Sequence, residues 1–319
     1  MGGFLCKYSF IYVIIIRVIK KGFIMSRQLR RLCGHIVAGF IPNKYTAHRV
    51  KNLIEYGILK KIKENKKLQS KERKGKFKYN LAIVAIMKNE GPYLKEWIEF
   101  HKLVGVQKFY LYDNDSNDDT RQILDEYIKD GTVDYTFFPG QKMQLPAYND
   151  CIEKHKNETK WLAVIDLDEY IVPTKEDSIL PLLNEQNDKV AQIIIPWVIF
   201  GSNGHEYKPD GLVLESYTKR ARHSWLYKAI INPRLVFSMG CHEHNVAGRT
   251  VSMLKSKIRI HHYHCKSWQE YKQKAARGDA WDGVDAGQKK YQRECFNRHD
   301  LNDIVDTTAL RFVEKLKGK

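Results

Sequence analysis

The sequence predicts an α/β fold: a Rossmann-like, mostly parallel sheet with flanking helices. Three observations carry this. Short apolar runs alternate with helical patterns between residues 81 and 165, the pattern of parallel strands joined by helices. One run, Trp161-Leu-Ala-Val-Ile165, passes straight into Asp166, Asp168 and Glu169. In open α/β sheets, ligands gather at the carboxyl ends of strands. The body is also neutral: residues 1–80 hold 20 Lys/Arg against 3 Asp/Glu, and residues 81–319 hold 34 of each. A nucleic-acid-binding body would carry a basic face, so nucleic acid is not an expected partner.

The N-terminal stretch comes first. Residues 8–19 are apolar but short, and Arg17 interrupts them; a spanning helix needs ~20 apolar residues. Lys20-Lys-Gly-Phe23 is not a small-residue cleavage site, and Met25 is an alternative start. From Ala47 to Lys63 apolar residues fall at helical spacing among Lys and Arg. Such a basic amphipathic helix reads as a membrane-surface segment, or as a helix packed on the body with a solvated basic face. Residues 63–78 read as a linker. Residues 1–78 are therefore expected to be a basic, helical extension, in a cytoplasmic protein held peripherally on a membrane.

The main domain is expected over residues 79–280. Leu81–Met87 is a buried strand, and Lys88-Asn-Glu-Gly-Pro92 a turn with Pro92 near the first helical position. Tyr93–Val104 reads as a helix stopped by Gly105. Phe109–Tyr112 is the second strand. The polar loop Asp113–Thr120 then leads into a helix over Arg121–Lys129, with Asp118 as its cap. Val133–Phe138 is a strand, Leu145–His155 a helix, Trp161–Ile165 a strand, and Ala191–Phe200 another. After Phe200 the alternation is lost. Residues 281–319 are expected to form a helical tail. Cys6, Cys33, Cys151, Cys241, Cys265 and Cys295 show no CxxC pair and read as reduced thiols. The sequon Asn157-Glu-Thr159 carries no weight, since short sequons arise by chance.

Asp166 and Asp168 are two residues apart. At the end of an extended strand they would project from one face. Carboxylates so placed repel unless a cation sits between them, and hard oxygen ligands favour Mg²⁺ or Mn²⁺ over zinc. A second cluster is Cys241-His-Glu-His244 with His261-His-Tyr-His-Cys265, which holds five of the twelve histidines. Cys and His are zinc ligands, so a zinc-binding interaction module without enzyme activity is the alternative reading. Its spacing matches no familiar zinc site.

Several motifs in order carry a resemblance. Met87-Lys-Asn-Glu90, Tyr93-Leu-Lys-Glu-Trp97, Tyr110-Leu-Tyr-Asp-Asn114 with Asp118-Asp-Thr120, Ala147-Tyr-Asn-Asp150 and Ile165-Asp-Leu-Asp-Glu169 resemble glycosyltransferase family 92. More loosely they are similar to glycosyltransferase family 2. The match continues through Trp197-Val-Ile-Phe-Gly201, Gly211-Leu-Val-Leu-Glu215, Lys228 and His262-Tyr263 with Lys266-Ser267, so it covers residues 80–280. It implies the GT-A fold, a nucleotide-sugar donor, a divalent metal (Mn²⁺ or Mg²⁺) and an inverting transfer. The chain departs at Asp115, where related loops carry Gly; Asp tolerates the left-handed conformation.

The resemblance gives the residues expected roles. Asn89, Glu90, Asp113 and Asn114, at the ends of the first two strands, would take the uracil and ribose. Asp166 would act through the ribose or a metal-bound water, and Asp168 would bind the metal directly. His262 would complete the metal shell, with His264, on the same face of an extended segment, as its competitor. Asn149 and Asp150 would orient the donor, or are solvent-facing. Lys266 and Arg277 would hold the pyrophosphate, or make salt bridges. An inverting transfer needs a general base; Glu243 is the first candidate, with Glu206 and Asp279 as alternatives. Trp197, Trp225, Tyr227 and Trp281 could stack on sugars or belong to the core. The expected donor is a UDP-hexose, with galactose as the hexose and a saccharide or glycolipid of surface glycan synthesis as acceptor. The runner-up is a family 2 type transferase with another donor.

Overall fold

The apolar run Tyr79–Met87 forms β1, buried along nearly its whole length. The structure, a computed structural model, describes residues 27–39, 51, 66–67, 76–278 and 292–318. It divides into two compact units, residues 1–73 and 74–319. In the first unit α1 spans Arg27–Gly39. The readings of residues 8–19, of Met25, of Ala47–Lys63 (Lys51 apart) and of most of the linker lie outside the described residues. Among the described residues no helix is long and apolar enough to cross a membrane.

The second unit begins with the expected alternation. After β1 come α2 (Gly91–Leu103), β2 (Lys108–Asp113), α3 (Thr120–Lys129), β3 (Val133–Phe137), α4 (Gln144–His155) and β4 (Thr159–Val164). These strands lie parallel in the order β3-β2-β1-β4. Gly91 opens α2 because a Cβ there would lie 2.0 Å from the Asp119 carboxylate. Pro92 follows in the first helical turn, where a missing N–H costs nothing. The N-cap of α3 is Asp119, one residue after the expected Asp118; Asp118 accepts from both Thr120 N–H and Gly91 N–H, so its carboxylate ties the start of α3 to the start of α2. Asp115 has φ 67, the left-handed geometry expected for it. Leu94, Trp97, Ile98 and Phe100 of α2 are fully buried against the sheet; burying each such apolar side chain stabilises the fold by roughly 1.5–3 kcal/mol.

Beyond β4 the sheet becomes mixed. The next elements are β5 (Glu169–Pro173), α5 (Leu180–Asn184), β6 (Val190–Ile199), α6 (Val213–Ser216), β7 (Lys219–Arg220) and β8 (Tyr227–Ile231). They are followed by β9 (Val236–Ser238), β10 (Asn245–Val246), β11 (Arg249–Ser252), β12 (Ile258–His262) and α7 (Trp268–Arg277). The sheet continues β4-β8-β6-β12-β5, with β11 also on β6. β8 runs antiparallel to both neighbours, and β5 antiparallel to β12. The other pairings are parallel, so the sheet is mostly parallel rather than parallel throughout.

The C-terminal stretch mixes helix and strand, where helix alone was expected. It holds α8 (Arg293–His299), β13 (Ile304–Val305) and α9 (Val313–Lys317). β13 pairs with β7, and Asp306 accepts from Arg220 (2.6 Å) and Arg259 (2.8 Å). Phe312, Val313 and Leu316 enter the main core.

Candidate active site

The site forms where β4 ends. Trp97 of α2 donates its indole N–H to Glu169 O at 2.8 Å. Glu169 N–H donates to Asp166 O at 3.1 Å, and Asp166 N–H to the Glu169 carboxylate at 3.0 Å. The chain therefore turns between Asp166 and Glu169 instead of running on as a strand. That corrects the expectation that Asp166 and Asp168 share one face, because alternation of faces holds only in extended backbone. Asp166 points to Lys228 of β8 (2.8 Å) and to Gln144 and Tyr148 of α4 (both 3.2 Å). Asp168 points the other way, to Lys274 of α7 and to His262 of β12 (3.3 Å).

The electrostatics follow from burial and partners. Burial opposes ionisation of Asp168, but Lys274 and His262 outweigh it and hold the carboxyl well below the usual range. Burial pushes the Glu169 carboxyl well above its usual range, against the pull of Lys228. Burial also works against the charge on Lys228, yet Asp166 and Glu169 keep that ammonium above its ordinary value. Burial and then Lys274 push the His264 imidazole well down. These three carboxylates and two lysines form two separate clusters on either side of the turn.

Among the described residues, one set of three can share an ion: Asp168, His262 and His264, whose ligand atoms all lie within 4.8 Å of one another. His262 Nδ1 is buried without a partner. A carboxylate with two neutral imidazoles is a donor set for a divalent transition ion such as Mn²⁺. Beside it lies a pocket of about 260 Å³ lined by Asn89, Glu90, Lys266, Lys274 and Arg277 among others. Arg277 donates to Asn89 O at 2.7 Å and pairs with Glu90. The Lys266 ammonium stands 3.6 Å from the centre of the Tyr93 ring, and burial lowers its proton affinity. Lys266 (φ 49) and Asn89 (φ 51) both hold left-handed backbone at the pocket wall, a conformation that concentrates at functional sites.

The sequence profile of glycosyltransferase family 92 matches residues 84–307. The chain belongs to glycosyltransferase family 92. It is 28% identical over 235 residues to a glycosyltransferase family 92 protein of Arabidopsis thaliana, covering 68% of this chain and 41% of that one. It is 28% identical over 194 residues to the galactan beta-1,4-galactosyltransferase GALS3 of Arabidopsis thaliana, covering 54% of this chain and 38% of that one. This family 92 chain thus spans about two fifths of the length of the curated relatives it matches. Among solved structures it is similar to S. aureus TarS, residues 1–349, in complex with UDP. That likeness has a TM-score of 0.39 at 13% identity, over 69% of this chain and 71% of that one.

Placed on this family 92 fold, the expected site residues separate. Asn89, Glu90, Lys266 and Arg277 meet in the pocket, and Asp168 and His262 adjoin it. Asp113 does not line the pocket; it is buried with both oxygens taken, by Ser116 N–H (2.9 Å) and Tyr135 OH (2.7 Å). Asn114 donates to Phe138 O and Gly140 O. Both residues shape the loop after β2. Asn149 is exposed and bonds its own helix at Leu145 O, while Asp150 is held by Tyr112 and Lys154. Gln144 and Tyr148, one turn apart on the same face of α4, meet Asp166 in place of Asn149 and Asp150.

Glu243 is buried and accepts from Tyr227 OH at 3.2 Å. Its neighbour His242 packs on Trp197 (5.2 Å), which also packs on His262 (4.2 Å). Trp197 is thereby core rather than a sugar platform. Trp225 is 83% exposed. Glu206 is exposed and paired with Arg293; Asp279 and Trp281 lie outside the described residues. His261 faces away from His262, towards Arg259 (3.1 Å) and Tyr263 (3.3 Å). Cys265 packs with Tyr271 and Phe296, and burial pushes its thiol up to about 12. The Cys/His zinc set of the alternative reading is not assembled among the described residues. Lys274, Gln144 and Tyr148 were missed. A readable signal existed for Lys274: Ser267-Trp-Gln-Glu270 is a capping-box pattern. It predicts a helix that puts residue 274 one turn before Arg277 on the same face.

Proposed function

We propose that this chain is a metal-dependent inverting hexosyltransferase of the GT-A type. It would move a hexose, galactose, from a UDP-sugar to a saccharide or glycolipid hydroxyl in surface glycan synthesis. One observation carries the reading. Asp168, His262 and His264 converge beside a pocket walled by Lys266, Lys274 and Arg277. A divalent cation and an anionic diphosphate need adjoining sites of opposite character, and these adjoin. Two imidazoles with one carboxylate favour Mn²⁺ over Mg²⁺. When bound, such an ion stabilises charge on the departing diphosphate.

The chain's own groups do the rest. Lys266 and Arg277 take diphosphate oxygens. Asn89, Glu90 and the loop from Asp113 to Asp118 take the nucleoside. Asp166, held by Lys228, Gln144 and Tyr148, faces the sugar side as an orienting carboxylate. Glu243, positioned by the Tyr227 hydroxyl, is the base that takes the acceptor proton. Galactose is supported by the galactosyltransferase name of GALS3.

The basic N-terminal stretch supports a peripheral seat on an anionic cytoplasmic membrane surface, each Lys/Arg adding roughly 1 kcal/mol near the surface. Deleting residues 1–73 should release the protein from anionic vesicles; salt-insensitive sedimentation of both forms would sink that seat.

Donor hydrolysis, read as free nucleotide, tests the transferase reading across UDP-, GDP- and CDP-sugars with Mn²⁺. UDP-galactose should be turned over fastest, and chelation should stop it. Turnover of a GDP- or CDP-sugar alone would move the chain to the family 2 type reading.

A further inference from the structure

Lys274 of α7 lodges among the three side chains that can share an ion. Its ammonium bonds the Asp168 carboxylate and lies 3.3 Å from His264 Nδ1. His262 Nε2 faces the same Asp168 oxygen at 3.3 Å. An ammonium has three donors and no acceptor, so it engages lone pairs on Asp168 and His264. A divalent ion held by those residues needs the same lone pairs. The two cations exclude each other by volume and by charge. The Lys274 stem also lines the pocket shared with Lys266 and Arg277, so the ammonium has a second place to go.

We propose that Lys274 is an internal cation that competes with the divalent ion and, once displaced from Asp168, turns to the diphosphate. This rests on the metal and UDP reading given above. Without nucleotide, the ion must evict an ammonium into a pocket that already holds Lys266 and Arg277, so it binds weakly. With a diphosphate present, the evicted ammonium finds an anion, so the ion binds tightly. Lys274 thereby makes metal and nucleotide affinities depend on each other, and by linkage the dependence is reciprocal.

The test is Mn²⁺ binding to the full chain, read from the spin-resonance signal of free Mn²⁺, without and with UDP. Wild type is compared with Lys274→Met and with Lys274→Gln, which keeps volume and polarity should the first variant fold poorly. Without UDP, both variants should bind Mn²⁺ at least about tenfold more tightly than wild type, within the usual span of coupled binding. UDP should tighten Mn²⁺ binding several-fold more in wild type than in the variants. Equal Mn²⁺ affinity of wild type and variants without UDP would overturn the competition while leaving the metal reading standing. Failure of all three to bind Mn²⁺ would overturn both. Calorimetry with UDP in saturating Mn²⁺ is the second readout: the variants should bind UDP more weakly, the opposite sign to their gain for the ion.

Discussion

His262 ends β12 and His264 stands two residues beyond it, and both imidazoles come to the Asp168 side. His261, the residue before His262, is on the other face, bonded to Arg259 and Tyr263. Single alanine variants should therefore separate cleanly. His262→Ala and His264→Ala should each weaken Mn²⁺ binding by more than about tenfold, as loss of a metal-shell contact does. His261→Ala should leave Mn²⁺ affinity nearly unchanged and lower thermal stability instead. A Mn²⁺ titration in which His261→Ala alone shifts would place the ion on the wrong face. Asp168→Asn is the sharper variant: it keeps the volume and an acceptor for Lys274 but removes the charge. Mn²⁺-dependent UDP-galactose hydrolysis should fall at least about a hundredfold, since several kcal/mol of charge stabilisation go with the ion. Hydrolysis at wild-type rates by a folded Asp168→Asn would remove that residue from the site.

Helix α7 is the element on which the pocket depends, because it carries Lys274 and Arg277. Its N-terminus is fixed by a reciprocal cap: Ser267 accepts from Glu270 N–H and Glu270 from Ser267 N–H. The same Glu270 carboxylate accepts from Tyr93 OH (2.6 Å) and Tyr217 OH (2.5 Å). Four groups thus converge on one residue and set where the helix points. Ser267→Ala should cost about 1 kcal/mol of stability, the usual loss for a cap. It should also weaken UDP binding, because both cations move with the helix. A loss of melting temperature with unchanged UDP affinity would show that α7 is held by other contacts. This cap was legible in the sequence, as were the boundaries of α2 and the alternation down to β4, because each is set by residues close in the chain. The turn at Asp166–Glu169 was not legible. It depends on Trp97, about seventy residues away, donating to Glu169 O, and on Lys228 pulling Asp166 aside. Antiparallel β8 was hidden for the same reason: its place and direction are set by β4 and β6 on either side.

At the scale of the molecule, buried neutral histidines set how the fold answers to acid. His101 of α2 accepts from Ile171 N–H at Nε2 (3.2 Å) and bonds Trp97 O through Nδ1 (2.8 Å). Nδ1 therefore carries the proton, and protonating Nε2 would break the link between α2 and β5. His244 accepts from Gly240 N–H at Nδ1 (3.2 Å), and its Nε2 is buried without a partner. Burial pushes both imidazoles down to about 3. An unfolded histidine titrates near ~6.5. Between those values the unfolded chain binds protons that the folded chain refuses, so stability is complete above about pH 6.5 and is lost as the pH falls. Each histidine contributes up to about 1.4 kcal/mol per pH unit, a large share of the roughly 5–15 kcal/mol that holds a domain together. Burial raises the Glu96 carboxyl to about 7 and raises Glu169 as well, so these two gain stability as the pH falls and offset part of the histidine loss; the histidine share is therefore read by comparing urea melts of wild type and a variant at pH 7.5, 6.0 and 5.0. In His101→Gln, which offers an amide to the same two partners and cannot titrate, the slope should drop by close to one proton even if the variant is less stable at pH 7.5. The same pH slope in wild type and His101→Gln would mean that this imidazole does not stay neutral in the fold.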